Sequence, residues 1–164
     1  MTAHHVQALD MCERVIGYDT GGSVQSAATE VLRNQSIEVG MMRAWLADWG
    51  ASTAPPETVM AWMGVSDHTM ADGVAMADGG ITLADMPGYA TSEELSQLAL
   101  ADGADKGRMW LTLMRAHHVG GVAMAEAAMV LASEDKVLRL ARTQASVQAY
   151  EIGQYDLLLS TIYA

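Results

Sequence analysis

Phenylalanine is absent from this chain, although 51% of its residues are hydrophobic. The core must be filled by other side chains, and the 13 methionines are the conspicuous substitute. Unbranched thioethers fill irregular gaps between helices, and they are also soft donors suited to reduced copper. A single cysteine, Cys12, excludes an internal disulfide and any metal site built from several thiolates. Basic residues are scarce. Nine Lys and Arg against 20 Asp and Glu leave a formal charge of −11, which argues against nucleic acid or an anionic membrane surface as partners. No run of about 18 apolar residues is present to cross a bilayer as a helix. Alternating strand patterns are missing as well. What remains is an all-α chain of 164 residues, a length that suits one domain spanning 1–164.

What is present is a repeat. Met1-Thr-Ala-His-His-Val6 returns as Met114-Arg-Ala-His-His-Val119, and Met11 and Glu13 return as Met124 and Glu126. The register then holds without a gap, so that Gln35-x-x-Glu38-x-Gly40 matches Gln148-x-x-Glu151-x-Gly153. Residues 1–46 and 114–159 are identical at 13 of 46 positions, where composition alone predicts roughly 3. The identities fall on His, Met, Gln, Glu and Gly. The chain therefore reads as two copies of one helical hairpin: repeat 1 over 1–50, a Met- and Gly-rich connection over 51–103, and repeat 2 over 104–164. The first copy starts abruptly where the second is preceded by helical sequence, so a leader and some helical turns are expected ahead of Met1 in the full reading frame.

Within each copy the breaks are legible. The first helix should run to about Ile16, stop at Gly17 and Asp19–Gly22, and give way to a second from Ser23 to Trp49, ended by Gly50 and Pro55-Pro56. Thr91-Ser-Glu-Glu94 has the spacing of a capping box and opens a short helix to about Ala101. A helix from Asp105 to Ala132 and another begun by Ser133–Asp135 complete a four-helix bundle of two antiparallel hairpins. The connection Glu57–Met86 lacks a clean period. Its Met60, Met63, Met70, Met76 and Met86, with His68, are read either as packing or as an auxiliary copper-capturing arm.

Hairpin arithmetic places the polar residues. In an antiparallel pair, residues equally far from the turn share a level. The midpoint between His4 and Glu38 falls at Gly21, and that between His117 and Glu151 falls at Glu134, each inside a predicted break. Each His pair should therefore sit beside the glutamate of its partner helix, with Met1 and His4 facing that helix and His5 bordering the face. The first candidate metal cluster is His4, His5, Met1, Met41 and Met42. The second is His117, His118 and Met114, with Gln154 and Tyr155 in place of the paired methionines, so copper(I) should prefer the first. Glu38, Glu151, Gln35 and Gln148 are expected to orient imidazoles rather than to bind a soft ion. Met11 and Met124 lie about 10 Å along the axis from the histidines and read as core. Imidazole with oxygen donors would instead suit another divalent ion. The metal-free alternative is that each glutamate satisfies a buried imidazole.

At these motifs the sequence resembles the domain of unknown function 305 family. The paired M-x-A-H-H motifs, the Q-x-x-E motif of each following helix and Met86-Pro-Gly88 with its Thr91–Leu95 helix carry the resemblance. It implies a ferritin-like bundle, export from a bacterial cell, and a link to copper seen in some members. Two positions depart from the pattern: Gly107 stands where an acidic residue is expected, and Gly120 where the first copy has Gln7. The competing functions are a di-metal oxidase and a metal-free interaction module. The oxidase would ask for about four carboxylates and Glu-x-x-His pairs, and neither helix carries such a pair.

Overall fold

The computed structural model describes residues 1–63 and 80–163. His68, Met70 and Met76 of the connection lie outside the described residues. Five helices carry the fold: α1 (Thr2–Glu13), α2 (Gly22–Asp48), α3 (Ser92–Leu100), α4 (Gly103–Leu131) and α5 (Asp135–Thr161). Two single 3₁₀ turns, Ala61–Met63 and Leu83–Asp85, interrupt the connection. Among the described residues the only extended pairing is an isolated bridge between Val59 and Ile81. α1 packs along α2 and α4 along α5. The two hairpins meet through α1 and α4, and α3 lies on α4. The result is an all-helical bundle.

The turns follow from local chemistry. Gly17 and Gly21 take left-handed φ values of 88° and 89° in the α1–α2 turn, a conformation that costs a residue with a Cβ. Gln25 closes that turn by accepting from the Gly17 N–H and donating to Val15 O and Thr20 Oγ1. The capping box forms as the sequence predicts: Thr91 Oγ1 accepts from the Glu94 N–H, and the Glu94 carboxylate accepts from the Thr91 N–H. α1 ends three residues early, because after Glu13 the chain tightens into i→i+3 bonding at Val15.

Lys106 fastens three elements. Its side chain is buried, and Nζ donates to the carbonyls of Arg14, Leu98 and Ala99. These carbonyls lie at the C-terminal ends of α1 and α3, where the helix dipoles attract a cation. The Tyr18 ring lies 4.1 Å away on the same ammonium.

Both sequence departures in α4 are steric. A Cβ on Gly120 would stand 1.9 Å from the Pro87 carbonyl oxygen, so the Met86–Ala90 segment crosses α4 only because that side chain is missing. On the opposite wall Gln7, the counterpart of Gly120, clamps the same segment by bonding Ala90 N and Ala90 O, each at 2.7 Å. A Cβ on Gly107 would meet the Tyr163 hydroxyl at 2.6 Å, which donates to Thr20 O and ties the end of the chain to the α1–α2 turn.

The core divides in two. The larger cluster contains Trp110, Leu98, Leu111, Met11, Cys12 and Met114 among its buried members. A second cluster is made of Met60, Met63, Met86 and Met124, with Met1 packed against it. Met60 is the one non-glycine among the described residues with a positive φ, at 63°, which costs roughly 1–2 kcal/mol.

Candidate metal centre

α1 and α4 each bring two adjacent histidines to the middle of the bundle, and all four imidazoles are completely buried. Neighbouring helical residues point 100° apart, so the two members of a pair cannot face the same element. His5 faces α2, where its Nε2 lies 2.6 Å from Glu38 Oε2. His118 repeats the arrangement, with Nε2 2.7 Å from Glu151 Oε2. His4 and His117 turn the other way and stack across the interface between the hairpins, their ring centroids 3.5 Å apart. The sequence expectation that His4 faces the partner helix and His5 borders it is thus reversed. The rotation of each helix is set by packing against the other hairpin, which hairpin arithmetic does not contain.

These contacts fix protons. A glutamate carboxylate only accepts, so His5 and His118 carry their hydrogen on Nε2. His117 Nε2 donates to the His4 carbonyl at 2.9 Å. The Nδ1 atoms of His5, His117 and His118 are left buried and without a hydrogen-bond partner, as are both ring nitrogens of His4. Gln35 and Gln148 are also buried, each with an unpartnered Oε1. Burial lowers the pKa of His4 and His117 well below the usual imidazole value, and neighbouring histidine charges add to the effect. Burial lowers His5 as well, against the opposing pull of Glu38.

The two halves differ. Gln144 Nε2 donates to Glu38 Oε2 at 2.8 Å and lies 3.3 Å from His5 Nε2. The repeat places Val31 opposite Gln144, so Glu151 has no matching amide. Tyr155 packs edge-on against His118 with centroids 5.5 Å apart, where its counterpart Met42 instead receives Thr2 Oγ1 at 3.8 Å from its sulfur.

The methionines expected at the histidines disperse. Met42 lines a cavity of about 200 Å³ with Met1 and Met124. Met41, one residue on, is 40% exposed and borders a groove between α2 and α5 with Glu38 and Trp45. Met114 is wholly inside the larger core cluster with Met11. Met124, read as core from its spacing, joins the methionine cluster at the bundle end. That gathering was hidden from the sequence, because Met60, Met86 and Met124 come together only when the connection folds back over α4. Among the described residues no three His, Cys, Asp or Glu side chains converge to hold an ion.

Residues 1–159 match the family described as "Domain of unknown function (DUF305)". Several solved structures share the fold. A DUF305 protein from Streptomyces coelicolor, described as a candidate secreted protein, is 31% identical with a TM-score of 0.82, covering 98% of this chain and 87% of its own. A DUF305 fragment from Deinococcus radiodurans is 26% identical with a TM-score of 0.75, covering 98% and 90%. CopM, solved in a Cu(I)-bound form, is 21% identical with a TM-score of 0.73 and covers 100% and 93%. No curated protein matches.

Proposed function

The chain belongs to the DUF305 family, and from that premise we propose that it is an extracytoplasmic protein that sequesters or hands on copper(I) through buried imidazoles and thioethers. The observation that carries the reading is the set of imidazoles whose Nε2 is held by an acceptor while Nδ1 is buried and unpartnered. A glutamate that fixes the tautomer and orientation of an imidazole, and raises its basicity, is the usual support of a ligating histidine. Here Glu38 and Glu151 have that role, once in each half. Unpartnered buried nitrogens are costly to leave bare, and an ion offsets that cost.

The donor chemistry favours a soft ion. Zinc asks for about four converging ligands and di-metal oxygen chemistry for about four carboxylates, and among the described residues no three His, Cys, Asp or Glu are arranged as a group that could hold an ion. Methionine thioethers suit reduced copper. CopM has been solved with both Cu(I) and Cu(II) bound, which supports copper as the cargo. The candidate secreted relative supports an extracytoplasmic setting, and no helix among the described residues is long and apolar enough to cross a membrane.

We read residues 1–164 as one domain, a ferritin-like four-helix bundle made by duplication of the α1–α2 hairpin as α4–α5. The first half, with no tyrosine against its imidazole where the second has Tyr155 on His118, is the better copper(I) half. The test is metal analysis of the purified protein with anaerobic copper(I) and iron(II) titrations. Copper(I) binding without iron(II) binding is expected. Iron(II) binding with oxygen consumption would support the oxidase instead. No metal binding would leave the histidine layer as packing.

A further inference from the structure

We propose that the open seam between α2 and α5 is the face through which two copies of this chain pair, antiparallel and about a two-fold axis that crosses the seam. The proposal uses surface residues only, so it stands or falls separately from the copper reading.

The seam is what the two hairpins leave uncovered. α1 packs along α2 and α4 along α5, and the hairpins meet through α1 and α4. α2 and α5 therefore lie side by side with two hollows between them, one of about 490 Å³ and one of about 270 Å³. The hollows are related by the repeat. Ile37, Glu38, Met41 and Trp45 wall the first, and their counterparts Tyr150, Glu151, Gln154 and Leu158 wall the second. Asn34 and Val147, which are counterparts of each other, both line the first hollow and mark the middle of the seam.

Apolar surface runs along it. Ile37 is 59% exposed, Tyr150 69% and Leu157 56%, with Met41 and Val147 each at 40%. Exposed apolar residues scattered singly are ordinary, whereas a row of them between two helices marks a contact face. Tyrosine and methionine beside aliphatic side chains are also the composition of an interface core.

Charge decides what covers the seam. The first hollow has Lys136 and Arg139 with one carboxylate, Glu38. The repeat counterparts of Lys136 and Thr143 are Ser23 and Glu30, so the second hollow is lined by two carboxylates, Glu30 and Glu151, and by no cation. Among the described residues neither the two cations nor Glu30 forms an ion pair within the chain. Lys136 rests instead over the rings of Trp45 and Trp49. Two copies laid face to face and antiparallel put the basic hollow of each over the acidic hollow of the other. That is the self-complementary pattern an isologous two-fold contact requires. A parallel arrangement would set cations on cations, which is costly. The formal charge of −11 opposes association, so opposite charges have to meet at the contact itself, and this seam supplies them. Pairing also covers the outer side of Glu38 and Glu151, the carboxylates that hold His5 and His118.

The experiment is sedimentation velocity of the metal-free full chain over a wide concentration range. Variants are Ile37→Glu in the apolar row, Lys136→Glu/Arg139→Glu at the basic end, Glu30→Lys/Gln154→Lys at the acidic end, and the two reversals combined. The substituted side chains all reach the surface, and circular dichroism checks that each variant stays helical. If the basic-end double variant unfolds, Arg139→Glu alone replaces it. The parent is expected to dimerise reversibly. Ile37→Glu and each reversal should weaken dimerisation at least about tenfold, and the combined reversal should recover most of that loss. A parent that stays monomeric throughout would overturn the pairing. So would a dimer indifferent to every variant, or a combined reversal no better than its parts. A monomeric parent that binds an acidic amphipathic peptide, and loses it in Lys136→Glu/Arg139→Glu, would assign the basic hollow to a foreign partner and overturn the pairing as well.

Discussion

At the scale of single residues, adjacent histidines do unlike jobs because a helix turns them 100° apart. His5 and His118 are tethered to glutamates, while His4 and His117 stack in the buried interface. The sequence announced the pairs and their level against Glu38 and Glu151, since both follow from repeat spacing and helical rise. It did not announce which member faces inward, because that depends on how the two hairpins rotate against each other. A pH dependence follows. His4, His117 and His5 have lowered folded-state values, whereas the unfolded imidazole takes a proton near pH 6.5. Below about 6.5 the unfolded state therefore binds protons that the folded state refuses, and stability rises with pH. Stability should be full above that value and fall toward pH 5, by at most about 1.4 kcal/mol per pH unit per histidine. Urea midpoints of the metal-free protein at pH 7.5, 6.5 and 5.5 measure it, and His117→Gln should flatten the fall. Equal midpoints at 7.5 and 5.5 would show that the imidazoles are not held neutral.

At the scale of elements, the helices and their caps were legible and the connection was not. The capping box at Thr91 and the turn at Gly21 come from local chemistry, which spacing records. The path of Met86–Ala90 over α4 depends on a missing side chain at Gly120 and an amide clamp from Gln7, 83 residues from Ala90. Seen only in sequence, Gly120 was a departure from the repeat. In the fold it is the place where the connection crosses. Gly120→Ala should destabilise by about 1–3 kcal/mol, the usual cost of overpacking. Gly40→Ala, in α2 with nothing within 4 Å of an added Cβ, should stabilise by about 0.5–1 kcal/mol. Paired urea curves decide, and similar effects at both positions would contradict the crossing. Lys106 offers a third check. Lys106→Met leaves the Arg14, Leu98 and Ala99 carbonyls without their shared donor and should cost at least about 1.5–3 kcal/mol.

At the scale of the whole molecule, two hairpins bury four imidazoles at their centre and gather thioethers at one end. The acidic surface, with a formal charge of −11, favours the approach of cations, and under the proposed function the interior selects among them by softness. The repeat is visible in sequence, yet its two copies differ at Val31 and Gln144 and at Met42 and Tyr155. Removing the first His pair should therefore weaken copper(I) binding more than removing the second. His4→Ala/His5→Ala and His117→Ala/His118→Ala can be compared once circular dichroism shows both remain helical. The most direct measurement for the account as a whole is an anaerobic competition titration of the unmodified protein with copper(I) against a chelator, repeated with zinc(II). The account predicts that copper(I) is withdrawn from the chelator and that zinc(II) binds far more weakly. Zinc(II) bound as tightly as copper(I), or copper(I) left wholly on the chelator, would contradict it.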